Sequence, residues 1–169
     1  MKIDARKGGD DYNYTTLGCF QSKGSLSRTT PPVRSTACKQ VDWRLYVTDE
    51  VLMQPRSEEC FMKIIKDPCL GFCLPPKKAL PGTILKHVYK FVDDLLKLKS
   101  PCIFKVGFSH DPERRFRNSK YGYINDNFHQ WESMEVLYAG ADSTSASFIE
   151  AAAIQKFKGD LAMDGTLKQ

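Results

Sequence analysis

Apolar positions from Thr83 onward step by four and three along the chain: Ile84, Val88, Phe91, Leu95 and Leu98, with Lys86, Lys90, Asp93, Asp94 and Lys97 between them. That spacing predicts an amphipathic helix over 83–98, capped by Thr83 and ended by Ser100-Pro101. A short apolar run then leads through Phe104-Lys105-Val106 to Gly107, a strand pattern that stops at a residue able to bend or admit a ligand. Behind it, Asp111 suits an N-cap, Pro112 the first helical position, and Glu113 the positive end of the helix dipole. Met134 to Ala139 reads as a second strand. Ala146 to Lys158 reads as a last helix, capped from Asp142, Ser143 or Ser145. The predicted order over 83–158 is α-β-α-β-α.

Upstream the pattern is poorer. Residues 1–40 are rich in Gly, Ser, Thr, Asp and Lys, with Thr30-Pro31-Pro32 in their midst, and read as a disordered arm. Residues 41–82 read as an irregular strand and helix segment with a linker: a short strand at Trp43–Thr48, a helix at Ser57–Lys66 with Phe61, Ile64 and Ile65 on one face, and a linker over 67–82 broken by Asp67-Pro68 and Pro75-Pro76. Residues 159–169 are polar, without a helical period, and read as a flexible tail.

Composition narrows the class. The chain has 169 residues, 41% of them hydrophobic, enough for one domain with a core and a tail. No apolar run approaches bilayer length, and no apolar stretch follows the charged residues at the N-terminus, so neither a membrane span nor a secretory signal is expected. The expected setting is intracellular, in nucleus or cytoplasm. Six cysteines in such a setting are expected as reduced thiols, and Cys69 with Cys73 lacks a second pair at zinc-site spacing. The net charge of +5 resides in residues 1–100, with 17 Lys and Arg against 11 Asp and Glu; residues 101–169 hold 8 against 9. Global charge therefore says little about nucleic acid. Locally, Lys105, Arg114, Arg115, Arg117 and Lys120 form a basic cluster opposed only by Asp111 and Glu113.

Two features carry candidate chemistry. A strand, a glycine and a helix start bearing guanidinium groups make a corner suited to phosphate, or else an ordinary strand-to-helix turn with solvated arginines. In the last helix, Ile154 and Phe157 follow Glu150 by four and seven, so this carboxylate heads an apolar stripe. A carboxylate there needs a cationic partner or a metal, unless it reaches solvent at the helix end.

In order, Phe104-Lys105-Val106-Gly107, Asp111-Pro112-x-x-Arg115-Phe116, Tyr121-Gly122-Tyr123, a strand through Val136 and Glu150 in an alanine-rich helix resemble the GIY-YIG endonuclease superfamily. The resemblance is to the branch whose second motif reads Lys-Ile/Val-Gly, and it covers about residues 101–158. It implies a small α/β domain, with a short central sheet of about three strands flanked by helices, that hydrolyses phosphodiester bonds of nucleic acid with one divalent metal, Mg2+ or Mn2+. By the same resemblance Glu150 would hold the metal and Arg115 the scissile phosphate. Tyr123 (or Tyr121) would take the aromatic position after the arginine, and Lys105 would stand where many members place a tyrosine near the attacking water. Lys105, Arg114, Arg115, Arg117 and Lys120 would meet the backbone of the nucleic acid, DNA rather than RNA. Two elements of the family pattern differ. The opening Gly-Ile-Tyr motif has only His87-Val88-Tyr89 as a candidate, inside the amphipathic helix, and no Asn follows Asn127.

Two alternatives stand beside this reading. One is a nucleic-acid-binding module that kept the basic corner and lost the chemistry; the other is a protein-interaction domain using the helix at 83–98. Oligomeric state is not set by any of these features.

Overall fold

In the computed structural model, the described residues are 15–22, 42–98, 104–127 and 131–158. They form a mixed α/β architecture built on a four-stranded sheet: β1 (Thr15–Ser22), β2 (Leu70–Phe72), β3 (Phe104–Ser109) and β4 (Trp131–Gly140), in spatial order β2-β4-β1-β3. β1 runs antiparallel to both β3 and β4, while β2 lies parallel to β4 at the opposite edge. Among the described residues no helix is long and apolar enough to cross a membrane.

The centre of the sheet comes from an unexpected place. β1 falls within the segment assigned above to a disordered arm, yet it pairs on both sides, Gly18 with Gly107 of β3 and with Val136 of β4. A strand flanked on both edges is held by backbone hydrogen bonds, which leave little trace in side-chain periodicity. The remaining residues of that arm, the end of the helix at Ser100-Pro101 and the tail at 159–169 lie outside the described residues.

Two cores cover the two faces, and β4 feeds both: Val136 joins one and its neighbour Leu137 the other, as strand alternation requires. The first core gathers Trp43, Val47 and Val51 with α2 (Ser57–Lys66), β2, Phe116 and Trp131. Its aromatic stack runs from Trp43 to Phe61 (4.3 Å between ring centroids) and on to Phe72 (5.5 Å). The second gathers α3 (Pro81–Leu98), α5 (Ser143–Phe157), Phe104 and Val106. There Phe157 meets Tyr89 and Phe104 edge-on at 6.0 and 5.8 Å.

The helical spacing of α3 is realised: Ile84, Val88, Phe91 and Leu95 are buried, joined by Val92. The helix opens at Pro81, two residues before Thr83, since a proline needs no partner for a missing N–H in the first turn. Its apolar face is thus taken up by the protein's own core. That also removes His87-Val88-Tyr89 as a strand: Val88 is fully buried in the helix, and the His87 Nε2 lies 2.6 Å from the Cys73 carbonyl.

Other expectations are corrected. Trp43–Leu45 is a 3-10 turn capped by Asp42, not a strand, because the buried Trp43 anchors it to Phe61. Ile65 is 46% exposed; the buried face of α2 is Cys60, Phe61 and Ile64. The linker over 67–82 contains β2, and Leu70, Phe72, Cys73 and Leu74 are core residues. Cys60 and Cys69 are free thiols, whereas Cys73 is disulfide-bonded, against the expectation of reduced cysteines.

Candidate functional site

β3 is an edge strand whose side chains alternate between the sheet's faces. Phe104 and Val106 enter the second core, so Lys105 between them projects to the other face. There α4 (Pro112–Arg117) and the 3-10 turn Tyr123–Asn125 are packed. α4 is short but well founded. The Asp111 carboxylate accepts the Arg114 N–H at 2.9 Å, Pro112 occupies the first turn, and Phe116 is buried in the first core. This orientation turns Arg114 and Arg115 outward and leaves Arg115 beside Tyr123.

Tyr123 is the hub. The Arg115 Nη2 donates to its hydroxyl at 3.4 Å, and the guanidinium carbon lies 5.3 Å from its ring centroid. The Lys105 ammonium lies over the same ring at 5.0 Å. Trp131 meets the ring edge-on at 5.9 Å and is tied in turn to Asp126, 3.0 Å from its indole nitrogen. Two cations gathered on one ring repel each other, so an anion bound beside them is favoured.

Glu150 approaches from α5. The Asp142 cap, accepting the Ser145 N–H at 2.7 Å, sets the start of this helix. Its buried stripe is Ala146, Ile149, Ala153 and Phe157, so Glu150 borders the stripe, half-buried, where it was expected to head it; Ile154 is likewise half-buried. The small Ala146 and Ala153 allow α5 to lie close against β3. The Phe108 N–H and the Lys105 charge lie near enough to the carboxylate to favour its ionised form. Burial nevertheless pushes its pKa above the usual glutamate value, with the Phe108 N–H and Lys105 acting the other way. Lys105 is thereby the common neighbour of Glu150 on one side and Tyr123 with Arg115 on the other.

The remaining predicted contacts separate. Arg117 forms a two-pronged pair with Asp67, Nε to Oδ2 at 2.6 Å and Nη2 to Oδ1 at 2.5 Å, which fastens α4 to the turn between α2 and β2. It is engaged in the scaffold and turned away from Lys105. The Lys120 ammonium lies 5.0 Å above the Tyr121 ring. Arg114 and Arg115 line a pocket of about 290 Å3 with Ser109, His110, Asp111, Asn118 and Tyr121.

Ser109, His110 and Asn118 escaped the sequence reading. Asn118 carried a signal nonetheless: an Asn after a helix and four residues before a glycine suits a side-chain-stabilised turn. Its Oδ1 accepts the N–H groups of Lys120 and Tyr121, each at 2.9 Å, and its carbonyl accepts from Gly122 and from Asn125. Gly122 is required by closeness, since a Cβ there would sit 2.4 Å from the Asn118 carbonyl oxygen. Among the described residues no three His, Cys, Asp or Glu side chains gather as a metal cage. No protein family, curated protein or solved structure matches this chain.

Proposed function

We propose that the chain is a GIY-YIG-like phosphodiesterase acting on nucleic acid. The observation that carries the reading is the convergence of Lys105, Arg115 and Tyr123, with Lys105 also neighbouring the Glu150 carboxylate. Arg115 offers a planar fork that matches two phosphate oxygens. Lys105 adds a second positive charge and lies where it can hold an attacking water. Tyr123 orients both cations and can pass a hydrogen bond onward through its hydroxyl.

Glu150 suits a hard cation that keeps most of its water ligands, and the half-buried carboxylate oxygens fit that role better than an apolar-lined acid would. Such an ion, Mg2+ or Mn2+, would supply charge to the phosphate and the leaving oxygen. The register of the sheet adds support. The segment antiparallel to Lys105-Val106-Gly107 is Gly18-Cys19-Phe20, a glycine and an aromatic residue spaced as in the family's opening Gly-Ile-Tyr.

The test is cleavage of single- and double-stranded DNA by the purified chain with Mg2+ or Mn2+. Glu150→Gln and Arg115→Ala are each expected to lower the rate by about 100-fold or more, as for loss of one transition-state contact. Absence of cleavage, or a Glu150→Gln variant as fast as wild type, rejects the proposal. A second reading, a nucleic-acid-binding module without chemistry, is favoured by the Lys105 charge near Glu150, which gives the carboxylate a cationic neighbour without a metal. It expects salt-sensitive binding that falls with Arg115→Ala and ignores divalent metal.

A further inference from the structure

The pocket beside Arg115 has a feature the phosphodiesterase reading does not use. Tyr121, which lines it, is 72% exposed. Single exposed aromatic side chains are ordinary on protein surfaces. Tyr121 differs in its setting. It shares its pocket with Arg114 and Arg115 and carries the Lys120 ammonium over its ring.

The backbone that carries Tyr121 is also anchored. The Asn118 side chain fixes the N–H groups of residues 120 and 121, and Gly122 seats the turn against Asn118 and Phe116. An exposed aromatic face on an anchored turn beside guanidinium groups is the arrangement by which proteins stack unpaired bases while gripping the adjoining backbone. A paired base within a duplex presents no free face and must first be unstacked. The pocket volume, about 290 Å3, is at the small end for ligand sites and suits one nucleotide better than a duplex segment.

We infer that the substrate is a polynucleotide strand with unpaired bases, one of them stacked on Tyr121 in the Arg114–Arg115 pocket. This rests on the reading of the same corner as a polynucleotide site and narrows it to single-stranded or frayed substrates.

The experiment uses the full chain carrying Glu150→Gln, in chelator, with fluorescence anisotropy on a labelled DNA strand, its duplex, and the same strand with abasic sites. The single strand is expected to bind at least about tenfold tighter than the duplex, and the abasic strand to lose most of that advantage. Adding Tyr121→Ala should weaken single-strand binding about 5- to 150-fold while Tyr121→Phe preserves it, since stacking needs the ring and not the hydroxyl. Thermal melting of each variant checks folding, and the Phe variant keeps the test decisive if the Ala variant unfolds. Equal affinity for strand and duplex, or single-strand binding untouched by Tyr121→Ala, overturns the inference. In that event, duplex cleavage by the wild-type chain would leave the phosphodiesterase reading intact. A single-strand preference that depends on Tyr121, in a chain that cleaves nothing, upholds the inference and rejects the catalytic reading.

Discussion

Glu150 is the residue whose environment has the clearest consequence in solution. Its folded pKa lies above the ordinary glutamate value, chiefly through burial, so the folded protein holds that proton more tightly than the unfolded chain. The contribution to stability is therefore fully present below the unfolded value and is lost as pH rises through the folded one. Glu150→Gln resembles the protonated side chain. It should raise the melting temperature relative to wild type at about pH 7, with the difference vanishing near about pH 4. Melting curves of the two proteins across that range check this; a difference of the same size at both ends contradicts it. The sequence allowed this carboxylate to be singled out, because an acid beside an apolar stripe is visible from helical spacing alone. That its partners are a backbone N–H and Lys105 was not visible, because both reach it from a strand distant in sequence.

At the scale of elements, α4 and the turn behind it depend on two small fixtures. The pair between Arg117 and Asp67 joins α4 to the end of α2, with the Asp67 carboxylate largely shielded. Asp67→Ala should destabilise the fold by about 1–2 kcal/mol, the partial exposure of Arg117 reducing what a deeply buried pair would give. Chemical denaturation measures it, and a change within experimental scatter would show the pair to be dispensable. Gly122→Ala places a Cβ against backbone atoms of Asn118 and Phe116 that have no room to yield. It should cost stability by about 1–3 kcal/mol and weaken nucleic-acid binding as well, since Tyr121 and Tyr123 flank it. The amphipathic α3, the capped α4 and α5 were legible because caps and apolar periodicity are local. The Trp43 turn and β2 were not. Trp43-Arg44-Leu45-Tyr46-Val47 has strand-like composition but is held by packing of Trp43 on Phe61, and β2 is three residues long between breakers.

For the whole molecule, the basic face and the sheet make separate predictions. If Lys105, Arg114, Arg115 and Lys120 meet phosphates, the logarithm of single-strand affinity should fall against the logarithm of salt with a slope of about −3, and Arg114→Ala should lessen it by about 0.7. Titrations at several salt concentrations decide this, and a flat dependence removes the basic face from binding. The sheet makes residues 15–22 indispensable: a chain beginning at residue 42 lacks the strand that bridges β3 and β4 and should not fold, as read by circular dichroism and by loss of cooperative melting.

That middle strand also bears on how the protein comes into being. Thr15–Ser22 is synthesised well before its two neighbours, Phe104–Ser109 and Trp131–Gly140. Assembly must wait for these remote partners, so the nascent chain carries an unmatched hydrogen-bonding segment, open to capture by chaperones or by other chains, until both have emerged.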